Sequence, residues 1–226
     1  MPKQKVYEIW LGAPQRDDQD KVADLGSRFL TAFAHSVYCK YAKHNFPPTS
    51  IEKGRFGQVN YHRINDPFVA NYIDKATNST RRWIKYSRLV RADIKFLNKK
   101  GELALKYSVC VYKTDTGPIL RKTHQITRLL DETEMDLSKI LKDLEYSEPW
   151  EVNSEELHEF KLAFKFTEPL TIKSRPGVSS VMCFPASSFL NTNRGVESNL
   201  VFRWISHEIT LFLRFPANLV IPLFKT

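Results

Sequence analysis

The stretch that decides the fold is VRADIKFLNKKGELALKYSVCVY, residues 90–112. Apolar residues alternate with polar ones along its second half, where Leu103, Leu105, Tyr107 and Val109 share one parity. That alternation is typical of a strand with one buried face. Residues 98–101, Asn-Lys-Lys-Gly, form turns readily. The stretch therefore predicts an antiparallel hairpin made of residues 90–97 and 102–112.

Two helices are predicted before this hairpin. Apolar residues between Val22 and Val37 recur at helical spacing, so we expect a helix over residues 18–43, after a first strand at 4–11. Asp66 followed by Pro67 predicts the start of a short second helix, because Asp caps a first turn and proline fits there. Between the two helices, the glycines at 54 and 57 predict a loop.

After the hairpin the sequence predicts a third strand over residues 119–130, preceded by a turn at 117–118. A helix is expected to begin at Thr133 and to bury Leu137, Ile140, Leu141 and Leu144, which lie on one helical face. Residues 160–166, 178–184, 200–205 and 209–215 predict further strands. The tail, residues 216–224, is expected to form a last core strand, and the alternative is a segment that binds a partner.

These elements predict an α+β fold, mainly antiparallel sheet or sandwich, with two to four helices. Residues 1–130 would form a mixed, basic region and residues 131–159 an acidic helical connector. Residues 160–226 would form a β-rich C-terminal part. A single domain that includes all three is the alternative.

The charge of the chain is divided between an acidic block and a basic remainder. The net charge is +9, yet residues 131–159 hold eleven acids against two lysines, so the block carries −9 and the rest +18. The block is interpreted as a solvated helix, as a contact with the basic stretch of a neighbouring molecule, or as a cover over its own basic stretch. Such segregation attracts polyanions and favours self-association.

The strongest candidate site is the stretch 81–106, where basic residues are interleaved with aromatic ones. Lysine and arginine bind phosphates, and flat aromatic side chains stack on unpaired bases. Phospholipid headgroups would satisfy the same charges. The alternative is a solvated surface whose aromatic residues belong to the core. The predicted nucleic-acid or phospholipid-binding residues are Arg81, Arg82, Trp83, Lys85, Tyr86, Arg88, Arg91, Lys95, Lys99 and Lys100.

Motifs that carry catalysis are missing from the sequence. The chain has only 8 glycines and no phosphate-cradling glycine motif. Its six histidines are not at metal-ligand spacing, and Cys39, Cys110 and Cys183 are widely separated, so neither a metal, a cofactor nor a disulfide is expected. The sequence therefore predicts a protein that is not an enzyme.

The location predicted from the sequence is intracellular, in the cytoplasm or nucleus. The N-terminal residues form no apolar secretory segment, and no window of about 20 residues is free of charge. Contact with a membrane would therefore be peripheral.

Residues 89–96 (LVRADIKF), 101–113 (GELALKYSVCVYK) and 119–122 (ILRK) together resemble matrix proteins of negative-strand RNA viruses. The resemblance covers about a fifth of the chain. It implies a fold in which sheet packs on helices, and a protein that self-associates between a ribonucleoprotein and an anionic membrane.

The function expected on these grounds is that of a non-enzymatic, viral matrix-like structural protein. Its expected partners are RNA or ribonucleoprotein, an anionic membrane surface and further copies of itself, as a homo-oligomer. The alternative is a single-stranded RNA-binding viral protein, such as a nucleocapsid, movement or silencing-suppressor protein. A second alternative is an RNA-processing enzyme whose active-site residues converge from distant segments.

Overall fold

The structure is a computed structural model and describes residues 2–12, 18–42, 48–113, 123–150, 157, 159–166, 199–205 and 208–214. The strands and helices in chain order are β1 Lys3–Leu11, α1 Gln19–Ala42, β2 Ile51–Phe56, β3 Val59–Ile64, α2 Pro67–Lys85, β4 Leu89–Leu97, β5 Leu103–Lys113, α3 Thr123–Tyr146, β6 Glu159–Phe166, β7 Asn199–Ile205 and β8 Glu208–Arg214. The predictions for 117–118, 119–122, 178–184 and 216–224 lie outside the described residues.

Six strands form one mixed sheet in the order β1-β5-β4-β6-β8-β7. Strand β1 pairs with β5 in parallel, and every other neighbouring pair is antiparallel. Strands β2 and β3 form a separate hairpin. With three helices in the described part of the chain, the predicted α+β class is confirmed. The predicted division into three regions stays a prediction, although β6 pairs with β4 along its whole length.

One face of the sheet packs against α1, which supplies the centre of the core. Phe29, Phe33 and Val37 of α1 are fully buried, as expected from their helical spacing. Gly26 lets two neighbours approach α1 closely, because a Cβ there would lie 2.8 Å from the Leu11 side chain and 3.1 Å from Ile84. Helix α1 therefore packs against both the sheet and α2.

Helix α2 begins where the sequence predicts and is longer than the predicted short helix. The Asp66 carboxylate accepts the Phe68 and Val69 N–H groups, at 3.1 and 3.0 Å, and Pro67 occupies the first turn. The helix runs on to Lys85, so it contains Trp83. The C-terminal end of α2 therefore belongs to the binding stretch predicted from the sequence.

The predicted loop at residues 54–57 is wrong, because these residues belong to the β2–β3 hairpin. Gly54 lies within β2 opposite Tyr61, whose ring occupies the space of a side chain: a Cβ on Gly54 would lie 2.4 Å from it. Gly57 forms the turn with a positive φ of 54°, which glycine adopts without strain. Both glycines are therefore required by a hairpin.

The third strand predicted from residues 119 to 130 is wrong over residues 123–130, which begin α3. The helix start predicted at Thr133 is wrong for the same reason: α3 begins ten residues earlier, at Thr123. The predicted inner face is correct, since Leu137, Leu141 and Leu144 are buried. No helix among the described residues is long and apolar enough to cross a membrane.

Candidate functional site

The predicted binding stretch is divided among three places in the fold. Arg81, Arg82 and Lys85 lie in the last turns of α2. Arg91 and Lys95 lie on β4, and Lys99 and Lys100 form the exposed turn that follows it. Because the nine residues of β4 are separated by eight rises of about 3.3 Å, its two ends are about 26 Å apart. The ten residues therefore form no single patch.

Two of the basic residues at the end of α2 pair with acids of α1. Lys85 Nζ lies 2.6 Å from an Asp20 carboxylate oxygen, and Arg81 lies 3.8 Å from Asp24. Arg88, after the helix, is half-buried and its N–H donates to the Trp83 carbonyl. The charge that made this segment a candidate is thus partly compensated within the fold.

The two aromatic residues predicted to stack on bases have opposite environments. Trp83 is 7% exposed, and its ring packs on Phe166 of β6 at a centroid distance of 4.8 Å. Tyr86 caps α2 and is 55% exposed. Trp83 is therefore a core residue that supports β6, which agrees with the alternative that the aromatic residues belong to the core.

Aromatic side chains of α1, α2 and β4 support strand β6 on its inner side. The Phe160 ring contacts Tyr38 of α1, Tyr72 of α2 and Phe96 of β4, at centroid distances of 4.9, 6.1 and 5.3 Å. All of these are edge-to-face contacts, which add to the burial of the rings. Phe166, at the other end of β6, rests on Trp83.

The two edges of β6 are paired to different extents. Against β4 the pairing runs from Glu159 to Phe166, whereas against β8 it covers only Leu162–Lys165. The Leu162 N–H, where the β8 pairing ends, donates to the Tyr72 hydroxyl at 3.1 Å. Burial raises the pKa of Tyr72, which keeps that hydroxyl neutral.

Two polar networks hold the helices that support β6. His35 Nε2 of α1 lies 3.0 Å from one Asp74 oxygen, and Arg63 donates to the other at 2.7 Å. Burial acts to raise the pKa of the Asp74 carboxyl, but the hydrogen bonds and charges of His35 and Arg63 outweigh it and hold the pKa below its ordinary value of 3.8. These contacts tie α1, α2 and β3 together.

The second network joins α1 to the end of α3. Lys40 Nζ donates to the Leu144 carbonyl at 2.6 Å, to the Ser147 carbonyl and to Ser147 Oγ at 3.2 Å. Carbonyls at a helix C-terminus lack intrahelical partners and attract cations. Lys40 therefore caps α3.

A cavity of about 370 Å³ lies between α1, α2 and α3. Acidic and basic side chains line it together, including Asp24, Arg28, Arg81 and Glu134. Arg28 lies 3.9 Å from Glu134. The charges that line the cavity therefore pair with one another, and the cavity favours no charged ligand. Among the described residues, no group of three His, Cys, Asp or Glu side chains is placed to hold a metal ion.

Sequence reasoning missed both β6 as a site and the role of Asp93. The apolar alternation of residues 160–166 predicted strand β6, but that alternation does not show which strands pair with β6. Asp93 is the one acid within residues 81–100, and it lies buried on β4. A single acid among eight bases was the signal that could have pointed to it.

No protein-family model and no curated protein matches the chain. Solved structures with a similar fold do exist. One is C. elegans HTP-2 bound to the HIM-3 closure motif, at 11% identity and a TM-score of 0.50, covering 86% of this chain and 89% of that one. Another is HTP-2 bound to HTP-3 motif-6, at 12% identity and a TM-score of 0.51, covering 89% and 90%.

This finding corrects the function expected from the sequence. The matrix-like function and its RNA-binding and RNA-processing alternatives are wrong, because the structural neighbours described above are HORMA-domain proteins and not viral matrix or RNA-binding proteins. The prediction of RNA, ribonucleoprotein and membrane partners is wrong for the same reason. The sequence predicted a protein partner only as further copies of the chain, and the two HTP-2 complexes contain a bound protein motif.

At 11–12% identity the likeness concerns the fold alone. Both chains are covered over more than four fifths of their length, so the whole architecture is shared and not one motif within it. The chain thus has the fold type of HTP-2, a HORMA-domain protein.

Proposed function

We propose that the chain is a non-enzymatic adaptor that binds an extended peptide segment of a partner protein. The segment adds to β6 as a strand, at the edge that β8 occupies in this structure. The single observation that carries the proposal is the fold shared with HTP-2, which was solved with the HIM-3 closure motif and with HTP-3 motif-6.

The chemistry of strand addition fits β6. In this mode of recognition the backbone hydrogen bonds of the edge supply affinity, and alternate side chains supply specificity. An edge that accepts a strand has to keep its shape when its neighbour changes. The aromatic contacts of Phe160 and Phe166 and the Tyr72 hydroxyl hold β6 from the helix side, independently of β8.

The β8 pairing is the part of the sheet that is easiest to exchange. It involves four residues of β6, from Leu162 to Lys165, against eight for the pairing with β4. At about 1 kcal/mol net for each backbone hydrogen bond, releasing four pairs costs on the order of 4 kcal/mol. An incoming strand replaces the same bonds and can extend them toward Glu159.

An adaptor of this kind needs no reacting group, which is consistent with a sequence that lacks catalytic motifs. The intracellular location predicted from the sequence, in the cytoplasm or nucleus, is kept as part of the proposal.

The proposal is tested by selecting random 12-residue peptides displayed on phage against the full chain. A selected peptide is then synthesised in three forms: unmodified, N-methylated on its odd-numbered residues, and N-methylated on its even-numbered residues. N-methylation removes ladder donors and leaves the side chains in place. We expect the N-methylated form that lacks the pairing N–H donors to bind at least tenfold more weakly than the unmodified peptide. Binding of the unmodified peptide should also slow hydrogen exchange in residues 159–166.

Either of two results would overturn the proposal. Equal affinity of the unmodified and both N-methylated peptides would exclude strand addition. Protection confined to segments other than 159–166 would place the peptide elsewhere.

A further inference from the structure

The face of the sheet that points away from the helices combines a charged centre with an aromatic margin, where the Tyr112 hydroxyl donates to Glu8 at 3.3 Å. The register places Val6 opposite Ser108, and Ser108 opposite Asp93, in one row across β1, β5 and β4. Trp10 and Tyr112 face each other four residues further along their strands. We call this surface the outer face.

The centre of the outer face holds more positive than negative charge. Asp93 is 2% exposed and accepts a hydrogen bond from Ser108 Oγ at 2.7 Å. Around its carboxylate lie Arg91 at 3.0 Å, Lys106 at 3.2 Å and Lys95 at 4.0 Å. Three cations surround one carboxylate, so the cluster has a local charge of +2.

These cations are partly buried, which strengthens their electrostatic interactions. The Lys106 side chain is 12% exposed and that of Arg91 31%. Charges screened less by water interact more strongly with a counter-charge than fully solvated ones do. The cluster therefore favours an anionic group above it.

The margin of the outer face exposes an aromatic pair. Trp10 and Tyr112 stack with centroids 4.8 Å apart and planes at 24°, and they are 58% and 38% exposed. Val6, on the same face of β1, is 50% exposed. Of the seven large apolar residues exposed in the described part of the chain, Trp10 and Tyr112 are in contact, and Val6 lies four residues before Trp10 on the same face of β1. Grouped exposure of this kind is typical of an interaction surface.

We propose that the outer face binds an acidic, extended segment of a partner protein. Carboxylates of the segment lie over Arg91 and Lys106, and an apolar side chain lies on the Trp10–Tyr112 pair. Ser108 and Tyr112 are four residues apart on β5, about 13 Å, so a segment that runs along β5 carries its acid and its apolar residue about four positions apart. The surface lies on the sheet face and leaves the β6 edge free for the peptide proposed above.

The test uses a synthetic seven-residue peptide with Glu at positions 1 and 3, Phe at position 5 and Thr elsewhere. One control peptide has Lys in place of Glu. Binding to the full chain is measured by fluorescence anisotropy of a rhodamine label. We expect the acidic peptide to bind at least tenfold more tightly than the Lys peptide, with the difference decreasing as salt is added.

Two variants address the two halves of the surface separately. Lys106→Met removes a cation, and Trp10→Ala removes half of the aromatic pair while leaving the core intact. Each is expected to weaken binding about tenfold, whereas Lys53→Met, which removes an exposed lysine from the β2–β3 hairpin, leaves it unchanged. Circular dichroism verifies the fold of each variant. Equal binding of the acidic and Lys peptides would overturn the proposal, and so would acidic-peptide binding unaffected by both Lys106→Met and Trp10→Ala.

Discussion

The substitution Trp83→Ala tests whether this residue supports β6 from the core. Trp83 is 7% exposed and packs on Phe166. Burying a large aromatic side chain removes about 200 Å² from water, which at about 25 cal/mol per Å² amounts to about 5 kcal/mol. Measured losses for such truncations are about 3–5 kcal/mol. We therefore expect Trp83→Ala to lower the free energy of unfolding by about 4 kcal/mol.

The matched control is Tyr86→Ala, three residues along the chain. Tyr86 is 55% exposed and caps α2 through its backbone, so its truncation should change stability by less than about 0.5 kcal/mol. Urea denaturation followed by far-ultraviolet circular dichroism measures both variants without depending on tryptophan emission. In heating experiments the Trp83 variant should lose on the order of 8–16 °C in Tm. A loss below about 1 kcal/mol, or equal losses for the two variants, would refute the core assignment.

Three further substitutions test the contacts that hold the site. Lys40→Met, on α1, removes the cap of α3 and should lower the free energy of unfolding, measured by urea denaturation, by about 2 kcal/mol. Lys139→Met removes an exposed lysine of α3 itself and should lower it by less than about 0.5 kcal/mol. Tyr72→Phe deprives the Leu162 N–H of its side-chain acceptor and should cost about 1–2 kcal/mol and speed hydrogen exchange at that amide. Asp74→Asn should reduce the acid sensitivity of the fold. The pKa of Asp74 is lowered by folding, so its ionised form stabilises the protein above about pH 4 and this contribution is lost as the pH falls through the folded-state pKa.

Each of these expectations has a result that contradicts it. Equal costs for the two lysine variants would mean that Lys40 is not a cap. An unchanged hydrogen-exchange rate at the Leu162 amide in Tyr72→Phe would show that the Tyr72 hydroxyl does not accept a hydrogen bond from it. A constant stability difference between Asp74→Asn and the unsubstituted chain from pH 7 to pH 2 would show that the carboxylate is not stabilised by folding.

Local patterns in the sequence are sufficient for much of the fold. The alternation around Gly101 correctly predicted the β4–β5 hairpin, and Asp66-Pro67 correctly predicted the start of α2. Both signals act within a few residues, through strand parity and through capping of free N–H groups. Their physical cause is therefore visible without the rest of the molecule.

Errors arose where distant residues decide the structure. Gly54 lies in a strand because the Tyr61 ring needs its space, which the spacing of glycines alone does not reveal. The deciding contact there involves a partner that the local pattern does not contain.

The candidate site was less accessible to sequence reasoning than the fold. Basic residues counted along the chain suggested one patch, but β4 separates its ends and acids of α1 neutralise part of it. Trp83 lies seven residues after Ala76 and ten after Ile73, both buried, so helical spacing already placed it on the inner face of a longer α2. The residues at the exchangeable edge of β6 can be identified only when its neighbouring strands are known. The order of those strands is set by the whole sheet and not by a local pattern.

The central claim is that a peptide strand takes the place of β8 beside β6. It is tested most directly by locking β8 with a disulfide between Ala163→Cys and Thr210→Cys, which face each other across the two strands. A selected peptide should bind the oxidised protein at least tenfold more weakly than the reduced one. The control disulfide, Arg55→Cys with Asn60→Cys across β2 and β3, should have no effect. Equal affinity of the locked and reduced proteins would contradict the account.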